Sequence, residues 1–295
     1  MLQGVVNDTG KKFYRDKSIN KGTRSVFDMA VDAMGGDKDL AAGAIIHDLT
    51  YNDHTGAFSL AKTYSAANKG MVFAGVKNDG FDLDAASCMK VSDTHWLFMA
   101  WVKVTKAGSL STFNNQLLHF STTETNGYAN ALLSVVPTTD ATGQPTKIEL
   151  AVRGKNYVVT SNLLPLFDGG RHQFAVECEF SADGTQHTVR AYIDKVVVFT
   201  STSALAATPP GEPTTRRIGT STPFPLSWTG MLYRARVDDV GTSGLTATDI
   251  LTADYNLCAS GSVNYGWLNN FPRYSPGIIA LAGLHGSLRE SRFTL

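Results

Sequence analysis

The segment from Phe167 to Lys195 limits the fold of this chain more than any other, because its side chains alternate. In its first half every second residue is apolar: Phe174, Val176, Cys178 and Phe180. A period of two is typical of a strand with one face in a core and the other toward water. Gly184 then lies in a short polar turn, where glycine accepts the positive φ of a tight reversal. The alternation returns at Val189, Ala191 and Ile193. The pattern predicts an antiparallel hairpin.

Two short motifs lie at the ends of this hairpin. Asp168-Gly169 precedes Arg171-His172 and the first strand, and Ala191-Tyr192-Ile193-Asp194 closes the second strand. Together they resemble the hairpin of concanavalin A-like lectin domains, which include laminin-G-like and pentraxin-like jelly rolls. Lys195 departs from the pattern, since the family usually has glycine there. The resemblance implies a structural role for His172.

A stretch nearer the C-terminus resembles the closing signature of the same family. It contains Ile218-Gly219, then Trp228-Thr229-Gly230 at the start of a strand. Thr246 and Asp249 follow with the spacing of a capping box, which predicts a helix of one or two turns. The resemblance implies an all-β fold, a two-sheet antiparallel jelly-roll sandwich.

The resemblance covers residues 41–256, and the flanking segments differ from it in composition. Residues 1–40 are polar, with a short helix predicted from Ser25 to Ala33 by apolar side chains at i, i+3 and i+4. Residues 257–295 scatter aromatic side chains among glycine, proline and asparagine, and in water they would expose an apolar patch. We therefore expect an N-terminal arm and a C-terminal aromatic arm that pack on the sandwich or on a neighbouring subunit of a homo-oligomer.

The most apolar strand of the predicted sandwich runs from His95 to Val104 and is hydrophobic on both faces. An edge strand could not bury both Trp96 and Trp101. The sequence therefore predicts a central strand that is covered on each side.

Charge and composition exclude several classes of partner. The chain has 26 Lys and Arg against 26 Asp and Glu, so no excess positive charge is available for nucleic-acid phosphates. No run of about 18 apolar residues occurs, and residues 1–30 lack a signal-peptide pattern. The three cysteines, which are widely spaced, predict buried apolar residues rather than a disulfide framework. We expect a protein made in the cytoplasm that neither binds nucleic acid nor inserts in a membrane.

Glu177 and Glu179 are the candidate pair of carboxylates on a predicted strand, spaced as in polysaccharide-cleaving relatives of this fold. Same-face residues at i and i+2 lie about 7 Å apart along a strand, within reach of one sugar. The third acidic residue of the family's E-x-D-x-x-E motif is missing, because the strand continues to Phe180 and Ser181. The alternative is a solvated pair of glutamates on an outer face. The sequence predicts that the chain has no catalytic residue and is not an enzyme.

Metal-binding patterns are equally sparse. The histidines form neither H-x-x-x-H nor H-E-x-x-H, so the sequence indicates no zinc site. Relatives of this fold often bind calcium through loop carboxylates and carbonyls. Six loop-proximal aspartates have the right chemistry but form no dense run: Asp79, Asp82, Asp84, Asp93, Asp238 and Asp239. The sequence predicts no metal site and no cofactor, and it leaves calcium open.

Sugar binding in sandwiches usually combines an aromatic ring with carboxylate and amide groups on rim loops. Two segments have these residue types, and they give the predicted glycan-binding residues Glu124, Asn126, Tyr128, Tyr265 and Trp267. The alternative is ordinary loop and packing chemistry.

A lectin-like sandwich with two arms and no catalytic set resembles accessory virion proteins of tailed bacteriophages. Such proteins decorate the capsid or lie in the tail, baseplate or collar, and some bind glycans of the host surface. The sequence thus predicts a non-enzymatic virion protein that contacts other virion subunits through its arms. Two alternatives stay open: a carbohydrate-binding or adhesion module whose partner is a cell-surface polysaccharide, and a polysaccharide-degrading enzyme.

Overall fold

The computed structural model describes residues 16, 18–31, 34–50, 52–106, 117–122, 128–140, 145–219 and 228–259. The strands in these residues are β1 (Thr23–Asp28), β2 (Ile45–His47), β3 (Thr55–Phe58), β4 (Tyr64–Ser65), β5 (Gly70–Ala74), β6 (Gly80–Leu83), β7 (His95–Lys106), β8 (Leu118–Ser121), β9 (Ala131–Thr139), β10 (Pro145–Val152), β11 (Lys155–Val159), β12 (His172–Phe180), β13 (Gln186–Ile193), β14 (Val196–Ala204), β15 (Thr215–Gly219) and β16 (Thr229–Asp239). The helices are α1 (Val240–Ser243) and α2 (Ala247–Cys258), with 3-10 turns at Tyr128–Asn130 and Leu164–Phe167.

The strands form two antiparallel sheets of eight strands each. Sheet I has the order β14-β13-β12-β7-β16-β5-β4, with β1 also paired to β16. Sheet II has the order β11-β10-β9-β8-β15-β6-β3-β2. Aliphatic and aromatic side chains of both sheets fill the space between them, and Phe98 of β7 meets Phe120 of β8 at 5.4 Å between ring centroids. The predicted all-β, two-sheet antiparallel sandwich is confirmed.

The hairpin predicted around Gly184 is formed by β12 and β13, and Gly184 has a φ of 67°. Strand β7 lies between β12 and β16 and is therefore a central strand, as its apolar pattern predicted. Trp96 points into the core between the sheets, whereas Trp101 packs on the outer face beside Tyr233 and α2. Both faces of β7 are therefore covered.

The helix predicted at Ser25–Ala33 is wrong, because residues 23–28 form strand β1 along β16. Phe27 packs in the core between the sheets, and Val26 packs in a separate cluster with Leu49. Neighbouring apolar residues thus face opposite sides, as in a strand, although their spacing also fits one turn of helix. A segment of the predicted N-terminal arm therefore lies within sheet I. The predicted limits of the arms stay a prediction.

Buried charges fix this N-terminal segment and α2 to the outer face of β16. Arg234 Nε donates to Asp254 of α2 at 3.0 Å, and its Nη atoms contact Asp28 of β1 and Asp16. Arg236 donates to Asp238 at 2.6 Å. All of these side chains are almost completely buried. Each buried charge has a partner of opposite sign, which offsets part of the cost of its burial. The network joins three separate parts of the chain, the N-terminal segment, β16 and α2.

Helix α2 begins with the predicted capping box, in which Thr246 and Asp249 bond each other's backbone N–H. It is longer than the one or two turns predicted, with 12 residues. Its buried residues Ile250 and Leu251 pack against Leu97 and Met99 of β7. Neither helix in the described part of the chain is long and apolar enough to span a membrane.

Candidate functional site

The glycan-binding residues predicted from the sequence are not tested by the structure. Glu124, Asn126, Tyr265 and Trp267 lie outside the described residues. Tyr128 begins the short turn before β9, and only its backbone is described. All five stay predictions.

The carboxylate pair of β12 lies on the outer face of sheet I, beside α1 and α2. Cys178 between the two glutamates points into the core, so Glu177 and Glu179 share the opposite face. Glu177 is only 3% exposed, and for this residue the alternative of a solvated pair is wrong. Its burial follows from the neighbouring Leu97 of β7 and the hydrophobic contacts of Tyr192 with α1 and α2.

Strand register brings three further polar side chains to this pair. Glu177 lies opposite Arg190 of β13, and Glu179 lies opposite His95 of β7. Glu177 Oε1 lies 2.8 Å from His95 Nε2 and 3.0 Å from Arg190 Nη1, while its Oε2 accepts the hydroxyl of Tyr192. Arg190 Nη1 also donates to Glu179 Oε2 at 2.8 Å. We name His95, Glu177, Glu179, Arg190 and Tyr192 the Glu177 cluster.

These contacts determine the protonation of the buried carboxylate. Burial alone would raise the pKa of Glu177, but hydrogen bonds from His95 and Tyr192 and the charge of Arg190 lower it below its ordinary value. Burial and the bond to Glu177 raise the pKa of Tyr192 well above its usual range. At neutral pH the cluster therefore holds an ionised Glu177 and a protonated Tyr192.

Metal-ligand atoms of His95, Glu177 and Glu179 lie within 4.8 Å of one another, and they form the one such group within the described ranges. The guanidinium of Arg190 is bonded to both carboxylates, so the cluster already contains the positive charge that a metal ion would supply. A cation at this group would also be repelled by Arg190. The donor set therefore fits an ion-paired polar site better than a metal centre.

The cluster is open to solvent on one side. The side chain of Glu179 is 41% exposed, that of Arg190 29% and that of His95 22%, whereas Glu177 lies beneath them at 4%. Three half-exposed polar side chains on neighbouring strands thus surround the buried carboxylate of Glu177. They offer an acceptor and several donors to a ligand on the outer face.

The aspartates weighed as calcium ligands are each engaged by another group. Asp82, Asp93 and Asp238 pair with Arg217, Arg24 and Arg236. Asp79 contacts Lys62, Asp84 accepts the backbone N–H groups of Thr55 and Ser87, and Asp239 caps α1. A calcium ion at any of them would displace such a partner.

His172 lies between two carboxylates at the base of the hairpin. Its Nδ1 is 2.6 Å from Asp194 Oδ2, and its Nε2 is 2.8 Å from Asp168 Oδ1. Hydrogen bonding to Asp194, with a second bond to Asp168, raises the pKa of His172 despite partial burial. Asp194 also accepts the backbone N–H of Gln173 at 2.9 Å. These contacts hold together the two ends of the motif noted in the sequence.

The sequence pattern indicated the glutamate pair but not its partners. His95, Arg190 and Tyr192 lie on neighbouring strands, and only the order β13-β12-β7 makes them adjacent. The alternation of β13 placed Arg190 and Tyr192 on the same face, but it did not indicate which strand they would meet.

No protein-family model and no curated protein matches this sequence. Solved structures do match it. A Trypanosoma rangeli sialidase in complex with 2,3-difluoro-KDN has a TM-score of 0.55 and 14% identity, over 90% of this chain and 37% of the sialidase. A GH54 α-L-arabinofuranosidase soaked with 4-nitrophenyl α-L-arabinofuranoside has a TM-score of 0.50 and 11% identity, over 90% of this chain and 64% of the enzyme. The chain thus spans less than two thirds of either protein, and identities this low show a shared β-sandwich fold alone.

This comparison corrects one prediction. The expectation of a non-enzymatic chain was argued in part from its fold, and the solved structures that share the fold include a sialidase and an arabinofuranosidase. The prediction that the chain is not an enzyme is therefore wrong so far as it rested on the fold, because enzymes share this fold. The chain has a two-sheet β-sandwich of the kind found in glycoside hydrolases.

Proposed function

We propose that this chain is a carbohydrate-recognising β-sandwich and that the Glu177 cluster contacts the sugar. The observation that carries the proposal is the group of half-exposed polar side chains, Glu179, Arg190 and His95, above the buried Glu177. The sialidase and arabinofuranosidase structures that share the fold support a sugar as the ligand class.

Sugar hydroxyls act as both donors and acceptors, so a site that binds them needs both kinds of group within a few ångströms. The carboxylate of Glu179 accepts hydrogen bonds, and the guanidinium of Arg190 donates them. Hydrogen bonds to charged groups are roughly twice as strong as neutral ones. Because Glu177 bonds both His95 and Arg190, little side-chain freedom remains to be lost when a ligand binds.

Glycoside hydrolysis is a second candidate function, and the carboxylate spacing favours it. Oxygen atoms of Glu177 and Glu179 lie within 4.8 Å, compared with about 5 Å between the carboxyl groups of retaining glycosidases. In such a reaction the ionised Glu177 would stabilise the positive charge that develops on the sugar ring as the glycosidic bond breaks, and a water beside Glu179 would give its hydroxyl to the anomeric carbon and its proton to the leaving oxygen.

Titration of glycans and polysaccharides against the full chain and a Glu179→Gln variant tests both functions. We expect the variant to bind its sugar at least about 10-fold more weakly, the loss typical of one charged hydrogen bond. Glu212→Gln is the matched control and should bind normally, because Glu212 is exposed, is not part of the Glu177 cluster, and contacts Val91 through an oxygen that glutamine keeps. Equal affinity in both variants would refute the site. If the parent chain releases reducing ends and Glu179→Gln does not, the chain is a hydrolase. If the parent chain releases none, only the recognition function is supported.

The setting that we propose for this recognition is a tailed-bacteriophage virion assembled in the host cytoplasm, with the arms joining other subunits. The sequence resemblance alone supports this part. Mass spectrometry of purified virions tests it, and absence of the chain from the particles would dismiss it.

A further inference from the structure

Among the strands that the structure describes, β14 is the outermost of sheet I and pairs on one side only, with β13. It is nine residues long, Val196–Ala204. The backbone groups on its other side form a row of donors and acceptors that meets no strand of the described ranges, which is a template for pairing with another chain.

The sequence of β14 lacks most of the devices that usually protect such an edge. Its residues, VVVFTSTSA, include no charge and no proline. Val196 is 62% exposed and Val197 46%, values that are high for valine in a sandwich. A register shift interrupts the pairing near Val198, but from Phe199 to Ala204 the strand pairs with β13 residue by residue.

The other ends of the sheets are protected in contrast. Strand β4 at the far end of sheet I has two residues, and β2 at the far end of sheet II has three. The free side of β1 is covered, because Leu49 donates its backbone N–H to Val26 at 2.7 Å. Short and covered edges do not pair readily with other chains.

Strand β11, the outermost strand of sheet II, ends at the same side as β14. The hydroxyl of Tyr157 on β11 lies 2.7 Å from the hydroxyl of Ser203 on β14. Val158 of β11 is 47% exposed. The outermost strands of both sheets therefore expose valine at this side.

We propose that β14 pairs antiparallel with β14 of a second copy of this chain, so that sheet I continues across a twofold axis. Such an isologous contact places one copy of the strand opposite another, and a neutral strand meets no like charge. Thr200 and Thr202 point outward, on the face opposite to Ser203, and a register centred on Ser201 would place Thr200 of one copy beside Thr202 of the other. Cross-strand threonine pairs are favourable, and Thr188 with Thr202 already forms one at 2.9 Å between hydroxyls.

Sedimentation velocity of the full chain over a range of concentrations tests the proposal. We expect a dimer whose dissociation constant rises at least about 10-fold in Thr202→Lys and in Val197→Lys, since each puts a charge into a neutral contact and lysine on an edge strand opposes pairing. Ala67→Lys adds the same charge at the opposite end of sheet I and should leave the dimer unchanged. Far-UV circular dichroism establishes that each variant is folded.

Hydrogen exchange gives a second, independent measurement on the parent chain. Amides of Phe199–Ala204 should exchange more slowly at concentrations where the dimer forms than after dilution. A monomer at every concentration would overturn the proposal. So would a dimer that both β14 variants leave intact, because that result would assign the contact to another surface, such as the arms.

Discussion

The hydroxyl of Tyr157 lies 2.6 Å from Nε2 of His187, and this contact joins sheet II to sheet I at the side where both sheets end. The same hydroxyl lies 2.7 Å from Ser203, and the ring of Tyr157 also meets Phe199. The core residues that surround this contact are mostly aliphatic and aromatic. We therefore expect the contact to matter for the stability of this side of the sandwich.

Tyr157→Phe should lower the free energy of unfolding by about 1–3 kcal/mol, because it removes the hydroxyl and leaves His187 buried without that partner. Urea denaturation followed by tryptophan fluorescence measures the change. Ser203→Ala removes only a half-exposed partner and should cost less. Equal losses in the two variants would contradict this account.

His187 should make the protein less stable in mild acid. Burial, with the nearby charges of Arg153 and Lys155, lowers the pKa of His187 to about 4, against about 6.5 in an unfolded chain. Between these values the unfolded state binds a proton that the folded state does not, so stability falls as the pH is lowered from about 6.5 to about 4.

A His187→Gln variant should show a weaker pH dependence of stability over that window. Urea midpoints measured at pH 7 and at pH 4.5 for both proteins give the comparison. A parent chain and variant with the same dependence would show that another group is responsible.

Lys195 adopts a left-handed backbone conformation, with a φ of 63°, at the position where the hairpins that this segment resembles usually have glycine. Its ammonium group lies 4.6 Å from the ring of Tyr255, an attraction that offsets part of the backbone strain. Lys195→Ala and Lys195→Gly both remove this attraction, but only glycine relieves the strain. The free energy of unfolding, measured by thermal denaturation, should therefore be about 1 kcal/mol higher for the glycine variant than for the alanine variant. Equal stability would mean that the backbone relaxes at no cost.

Asp254 is the acceptor on which the buried charge network depends. It accepts from Arg234 at 3.0 Å and from the indole of Trp101 at 2.8 Å. Asp254→Ala should lower the free energy of unfolding by about 3–5 kcal/mol, because it leaves Arg234 buried with one partner fewer. Asp249→Ala, which removes only the exposed carboxylate that bonds the backbone N–H of Thr246, should lower the free energy of unfolding by clearly less in the same denaturation assay. A loss at position 254 as small as that at 249 would contradict the importance of the network.

Local patterns predicted much of this fold because they reflect local physics. The alternation in β12 and β13 fixed which residues face the core, and the spacing of Thr246 and Asp249 fixed the start of α2. The pattern failed at Ser25–Ala33, where a few apolar residues fit a strand and a helix equally well. Pairing with β16, a contact more than 200 residues away along the chain, decided the outcome.

The candidate site was only half predictable for the same reason. Two glutamates on one strand are visible in the sequence, but their burial depends on Leu97 and Tyr192 from neighbouring strands. The interaction of Arg190 with both carboxylates likewise depends on the order of strands in sheet I. Long-range strand order cannot be inferred from local periodicity.

The position of β16 has a consequence for how the protein forms during translation. This strand is the last of the described strands to leave the ribosome, yet it lies between β7 on one side and β5 with β1 on the other. Until it emerges, sheet I has a gap in its middle, and the nascent chain exposes the apolar residues on either side. We therefore expect chaperone binding and protease sensitivity to persist until late in synthesis, and to end when Arg234 reaches the aspartates made at the beginning.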